Sequence, residues 1–189
     1  MGAALDTGES VTGKVQEADG EVTYEIAAEK ADLGTEADAR QLMRNKEAAK
    51  GKALAIAHVK FTHSSGPNLT AGSRTYGGTE ICTDGGRSAT CIGSPEADTE
   101  GCEDQYDISS WKQGESHVFC GAYLVPPDTK SVEVHWSEEG GEPYIWKFAV
   151  KQEAAPARAP VHALGAPLPS KGRPQRRTAR SGTGGPVSP

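Results

Sequence analysis

The stretch HVFCGAYLV, residues 117–125, constrains the fold of this chain more than any other. Successive side chains of an extended strand point to opposite faces. Val118, Cys120, Ala122 and Leu124 therefore share one side, and Phe119, Tyr123 and Val125 the other, until Pro126-Pro127 stops the strand. The same period of two recurs elsewhere. EVTYEIAAE aligns Val22, Tyr24 and Ile26. ALAIAHVKFTH puts Ala55, Ala57, Val59 and Phe61 on one face with Leu54 and Ile56 opposite, apolar on both sides at its start as suits a central strand. SVEVHW turns Val132, Val134 and Trp136 inward, and PYIWKFAV aligns Tyr144, Trp146, Phe148 and Val150. ICTDGGRSATCIG, residues 81–93, reads as two short strands around Asp-Gly-Gly.

Helical periodicity is almost absent. TEADARQLMRNKEAAKGK, which opens with Thr35 and Asp38 at capping-box spacing, reads as a short helix. Short strands separated by turns predict an all-β sandwich. Leu, Ile, Val and Phe make up 28 of 189 residues, a lean supply, and all eleven aromatic residues fall between Tyr24 and Phe148. The expected organisation is a flexible leader at 1–20, one sandwich domain at 21–151, and a disordered tail at 152–189 that holds seven of the twelve prolines. From Ala154 to Pro189 there are six basic residues and no acid, which leaves residues 1–153 with 14 basic against 26 acidic groups. An acidic globule of this kind does not offer a nucleic-acid-binding face on its folded part. No apolar run is long enough to span a membrane as a helix. The first residues lack the basic and apolar regions of a signal peptide, which argues for the cytosol.

The cysteines argue the other way. Cys82, Cys91, Cys102 and Cys120 lack the close spacing of a zinc knuckle or a redox Cys-x-x-Cys. His117 precedes Cys120 by three residues and so points to the opposite face of its strand, which does not suit a Cys–His nucleophile. Disulfides fit better. Four cysteines allow three pairings. The favoured one joins Cys82 to Cys91 across a four-residue hairpin loop and Cys102 to Cys120, pinning an acidic loop to the sheet. Such bonds belong to an oxidising compartment. The alternative is a cytosolic metal-binding or redox protein that uses the four thiols.

The remaining candidates are weaker. Tyr106 and Trp111 could form a ligand platform, although packing at the sandwich edge is the simpler reading of Trp111. Asp98, Glu100, Glu103, Asp104 and Asp107 read as a solvated acidic loop without the spacing of a calcium site. His58, His63, His117, His135 and His162 show no cluster. RPQRRTAR in the tail is a candidate polyanion-binding arm, with a solvated end as the simpler reading. No phosphate loop, nucleophile elbow or metalloprotease motif occurs. No catalytic residue, metal or cofactor is expected.

From Val22 to Val150 the chain resembles immunoglobulin-like domains of unknown function found in actinobacterial secreted proteins and lipoproteins, similar in fold to mycobacterial immunoprotective secreted antigens. The resemblance lies in EVTYEIAAEKADLG, KGKALAIAHVKFTHSSG, WKQGESHVFCGAYLVPPDTKSVEVHW and PYIWKF. In such lipoproteins a cysteine shortly before the Lys-x-Gly-Glu turn accompanies the strand cysteine, and Cys102 and Cys120 occupy those places. The resemblance implies a secreted or lipid-anchored sandwich and no activity. The expected function is a non-catalytic binding module outside the cell or in its envelope, with an unknown protein or envelope ligand as partner.

Overall fold

The computed structural model describes residues 4–84, 86–95 and 99–149. The readings made for Gly85, Asp98, Val150 and the tail lie outside them. In chain order the elements are β1 (Ala4–Leu5), β2 (Val11–Glu17), β3 (Gly20–Leu33), α1 (Glu36–Leu42), a 3-10 turn at Lys46–Ala49, and β4 (Ala53–Ser65). A second 3-10 turn at Thr75–Gly78 leads into β5 (Thr79–Thr83), β6 (Arg87–Ser88), β7 (Thr90–Gly93), β8 (Ser116–Val125), β9 (Ser131–Trp136) and β10 (Tyr144–Ala149). These form a β-sandwich of two sheets. The first runs β1-β10-β9-β5-β6 and the second β2-β3-β4-β8-β7. All pairings are antiparallel except that of β1 with β10.

The alternating residues meet as their period requires. Ile26 lies opposite Phe61, and Val59 opposite Phe119, so the inward faces of β3, β4 and β8 line up. Val132, Val134 and Trp136 close the core from β9, and Trp146 and Phe148 from β10. The opposite, outward apolar face of β4 and β8 has its own cover. Ala39 of α1 and Ala49 of the following turn bury Leu54, Ala122 and Leu124, with Leu42, Met43 and Ile56 packed around them. This second small core is why β4 is apolar on both sides. The helix starts as its sequence predicts. The Thr35 side chain accepts from the Asp38 backbone N–H, and the Asp38 carboxylate accepts from the Thr35 N–H at 2.7 Å.

Residues 4–17 correct the expected leader. β2 is a full edge strand of the second sheet, paired with β3 from Val11↔Ile26 to Glu17↔Gly20. It escapes recognition because its pattern, VTGKVQE, offers only Val11 and Val15 as apolar points around a glycine. That glycine is a packing requirement. A Cβ at Gly13 would run into the six-membered ring of Trp136. The leader supplies two further anchors. The Trp146 indole N–H donates to the Glu9 carbonyl at 2.7 Å. Glu17, at 3% exposure, accepts from the Tyr24 hydroxyl (2.9 Å), the Ser73 hydroxyl (2.9 Å) and the Arg74 backbone N–H (3.0 Å). A buried carboxylate is tolerated only when its lone pairs are met by donors in this way. The folded unit therefore starts at β1, not at residue 21.

Candidate functional site

The chain passes from the first sheet to the second between β6 and β7, and a groove of about 420 Å³ lies beside this crossover. Tyr76, Thr79, Ser88, Cys91, Gln105 and Tyr123 are among its lining residues. Tyr76 and Tyr123 form its aromatic part, their hydroxyls 3.3 Å apart, and the Tyr123 hydroxyl donates to the Thr79 carbonyl at 3.3 Å. Gly121 of β8 makes room for this arrangement, since a Cβ there would overlap the Tyr76 phenol. Burial pushes the Tyr123 phenol up to about 12, and burial raises Tyr76 as well. Both phenols stay protonated at neutral pH and act as hydrogen-bonding groups, not as bases. Two side-chain oxygens of lining residues, Thr79 Oγ1 and Gln105 Oε1, are buried without a partner. Thr79 as a residue is only 8% exposed. An unmet buried polar atom costs about 1–3 kcal/mol, so a donor that reached either oxygen would be favoured.

A wider cleft of about 590 Å³ lies along β2 and residues 136–140. Three of its charged residues are already engaged. The Lys14 ammonium pairs with Glu21 at 2.8 Å, and the Lys14 backbone N–H donates to Glu138 at 2.8 Å. The groove, with its unmet oxygens, is the better candidate.

The cysteines divide. Cys102 and Cys120 form the expected disulfide, which holds the acidic loop against β8. Glu103 extends that attachment. Its backbone N–H donates to the Val118 carbonyl at 2.8 Å, and its carboxylate accepts from the Val118 N–H and meets His117 Nδ1 at 2.7 Å. The expected Cys82–Cys91 bond is not formed. The hairpin after β5 sets Cys82 opposite Ser88, and the chain then leaves the sheet, so Cys91 pairs with Tyr123 in the other sheet. A hairpin long enough to face the two cysteines was the premise of that bond, and β6 is only two residues long. Cys82 is buried beside His135 Nδ1 (3.9 Å), its thiol pushed up by burial, while Cys91 is exposed at the groove. The expected outcome of thiol titration without reductant is one fast-reacting thiol in the native chain and two after unfolding. Intact mass after alkylation checks the count.

The proposed aromatic platform separates too. Trp111 is fully buried, packed against Tyr24 and Phe119, with ring centroids at 5.0 and 5.7 Å. Its backbone exchanges hydrogen bonds with Leu69 at 3.0 and 3.1 Å. It is a core residue and cannot contact a ligand. Tyr106 is 73% exposed, and its neighbour Gln105 is the one that reaches the groove. Tyr76, Thr79 and Gln105 carried no signal in the sequence, because their convergence depends on the crossover between sheets.

No family model matches the chain, and no curated protein does. Among solved structures it is similar to an inferred lipoprotein of Staphylococcus aureus, with 11% identity and a TM-score of 0.46, covering 75% of this chain and 93% of that one. It is similar to an inferred lipoprotein of Bacillus subtilis, with 7% identity and a TM-score of 0.48, covering 77% of this chain but only 40% of that one. It is also similar to an uncharacterised β-sandwich protein of Clostridium difficile, with 16% identity and a TM-score of 0.41, covering 77% and 95% of the two chains.

Proposed function

We propose that this chain is a non-catalytic binding module of immunoglobulin-like kind that works outside the reducing cytosol and holds a small polar ligand in the groove beside Tyr76 and Tyr123. The observation that carries the reading is the groove lined by Tyr76 and Tyr123 together with Thr79 and Gln105, two residues whose buried side-chain oxygens lack a partner. Its volume is that of a small-molecule site, and its mixture of apolar rings with a few convergent polar atoms suits a ligand with a flat part and N–H or O–H donors. Two protonated phenols bind without activating what they hold. The Cys102–Cys120 bond supports an oxidising compartment.

Cys91 reports on occupancy because it lies at the groove. A panel of amino acids, dipeptides and small sugars is screened for slower alkylation of Cys91 in the oxidised chain. A binder is expected to slow the reaction at least several-fold, and Thr79→Val and Tyr76→Phe to abolish the protection while thermal unfolding stays cooperative. Protection that survives both substitutions, or a panel without a binder, overturns the assignment.

A further inference from the structure

The disulfide has an unexpected neighbour. His58, expected as an isolated histidine, stands opposite Cys120 in the β4–β8 register and is 5% exposed. Its Nδ1 lies 3.2 Å from Cys120 Sγ and 3.7 Å from Cys102 Sγ. Its Nε2 lies 3.0 Å from Asp32 Oδ2, and that carboxylate is itself held by Lys30 at 2.7 Å. An ionised carboxylate only accepts, so Nε2 carries the proton and Nδ1 presents its lone pair to the two sulfurs. While the disulfide is closed, neither sulfur has a proton to give that lone pair. Burial lowers the His58 pKa, in keeping with a neutral ring, although Asp32 opposes the shift.

We propose that the reduced form of this chain binds one zinc ion through Cys102, Cys120 and His58, with Asp32 as the group that orients the histidine. The donor set is two thiolates and one neutral imidazole, the ordinary preference of Zn²⁺. A carboxylate on the far nitrogen of a ligating histidine is the recurrent outer support of such sites, fixing tautomer and ring direction. All three donor atoms lie within 4.8 Å of one another. Cys102 lies on a loop and is half-buried, so with Glu103 keeping the backbone on β8 its side chain would turn from Cys120 once the bond opens, and water would fill the fourth position. The chemistry balances simply. A dithiol supplies two electrons and two protons to open Cys102–Cys120 and becomes a disulfide itself. Zinc then displaces the two thiol protons to solvent. A disulfide oxidant takes the two electrons back, closes the bond and releases the ion. The sequence hides this site because His58 lies 44 residues from Cys102 and 62 from Cys120.

The test uses the full chain carrying Cys82→Ser and Cys91→Ser, which leaves only the proposed thiols. After anaerobic reduction and removal of the reductant it is titrated with Co²⁺ and then with Zn²⁺. One equivalent of cobalt is expected to bind, with sulfur-to-metal charge transfer and tetrahedral visible bands that zinc bleaches. The oxidised chain is expected to show neither. His58→Ala should lose the tetrahedral signature. Asp32→Asn should keep it while weakening zinc by about 10- to 100-fold, with oxidised stability unchanged, a pattern that a purely structural Asp32 would not produce. The proposal is overturned if the reduced chain binds no cobalt, or if His58→Ala binds as well as the parent. It also falls if reduction unfolds the chain and zinc does not restore it. Cys91 protection by a groove ligand is measured on the oxidised chain, so the two readings stand or fall separately.

Discussion

Replacing Trp111 with alanine is expected to cost about 3–5 kcal/mol, the range for truncating a buried aromatic in a packed core. Trp111 has no exposed surface, and its ring packs against Tyr24, Phe119 and His117. Its indole N–H donates to the Glu115 carbonyl at 2.9 Å, closing the turn that leads into β8. The loss takes a large share of the roughly 5–15 kcal/mol that holds a domain together. Urea unfolding checks it as a lower midpoint with the same slope. Trp111→Phe, which keeps much of the ring and loses the hydrogen bond, is expected to fall between the two. An alanine variant as stable as the parent would contradict an interior Trp111.

The second large effect is expected at Glu17. Its removal in Glu17→Ala leaves the Tyr24 hydroxyl, the Ser73 hydroxyl and the Arg74 N–H without their shared acceptor. Hydrogen bonds to a charged group are worth roughly 1.5–3 kcal/mol each, and they do not add fully once water enters. A loss of about 3 kcal/mol follows from this range. Glu17→Gln should cost less than half of that, because the two hydroxyls can turn to accept from the new amide while its oxygen still meets Arg74. Amide hydrogen exchange separates local from global effects. In the alanine variant the Arg74 amide is expected to lose protection before the strand amides do. Equal losses for alanine and glutamine would show that charge, not acceptor geometry, matters at this position.

The disulfide makes a smaller and cleaner contribution. Cys102 and Cys120 are separated by 18 residues, and chain entropy assigns a loop of that size about 3 kcal/mol at most. The double variant Cys102→Ala/Cys120→Ala is expected to lose somewhat less than this while remaining folded, because Glu103 still ties the same segment to β8 through Val118 and His117. Denaturant midpoints for the oxidised parent and the double variant check it.

Wherever the apolar period was strong, the strands were legible. Val22, Tyr24 and Ile26, the inward face of β4, the split of β8, and the Thr35–Asp38 cap all lie where local pattern puts them, because a period of two or a cap is a property of neighbouring residues. β2 was not legible, because its inward positions include a glycine chosen to admit Trp136 from the other sheet. The Cys82–Cys91 pairing failed for a related reason. Local spacing predicts a register only if both residues stay in one hairpin, and here the chain changes sheets between them.

The amino-acid order alone therefore determined that this is a sandwich of short strands and where most of its core residues lie, and it favoured Cys102 with Cys120 among three possible pairings. Tertiary structure alone decided which thiols stay free, and that Tyr76, Thr79 and Gln105 meet in a groove while Asp32 and His58 meet a disulfide. The physical reason is distance along the chain. Burial and alternation are written into a few consecutive residues, whereas a site assembled from several strands exists only after the sheets have packed.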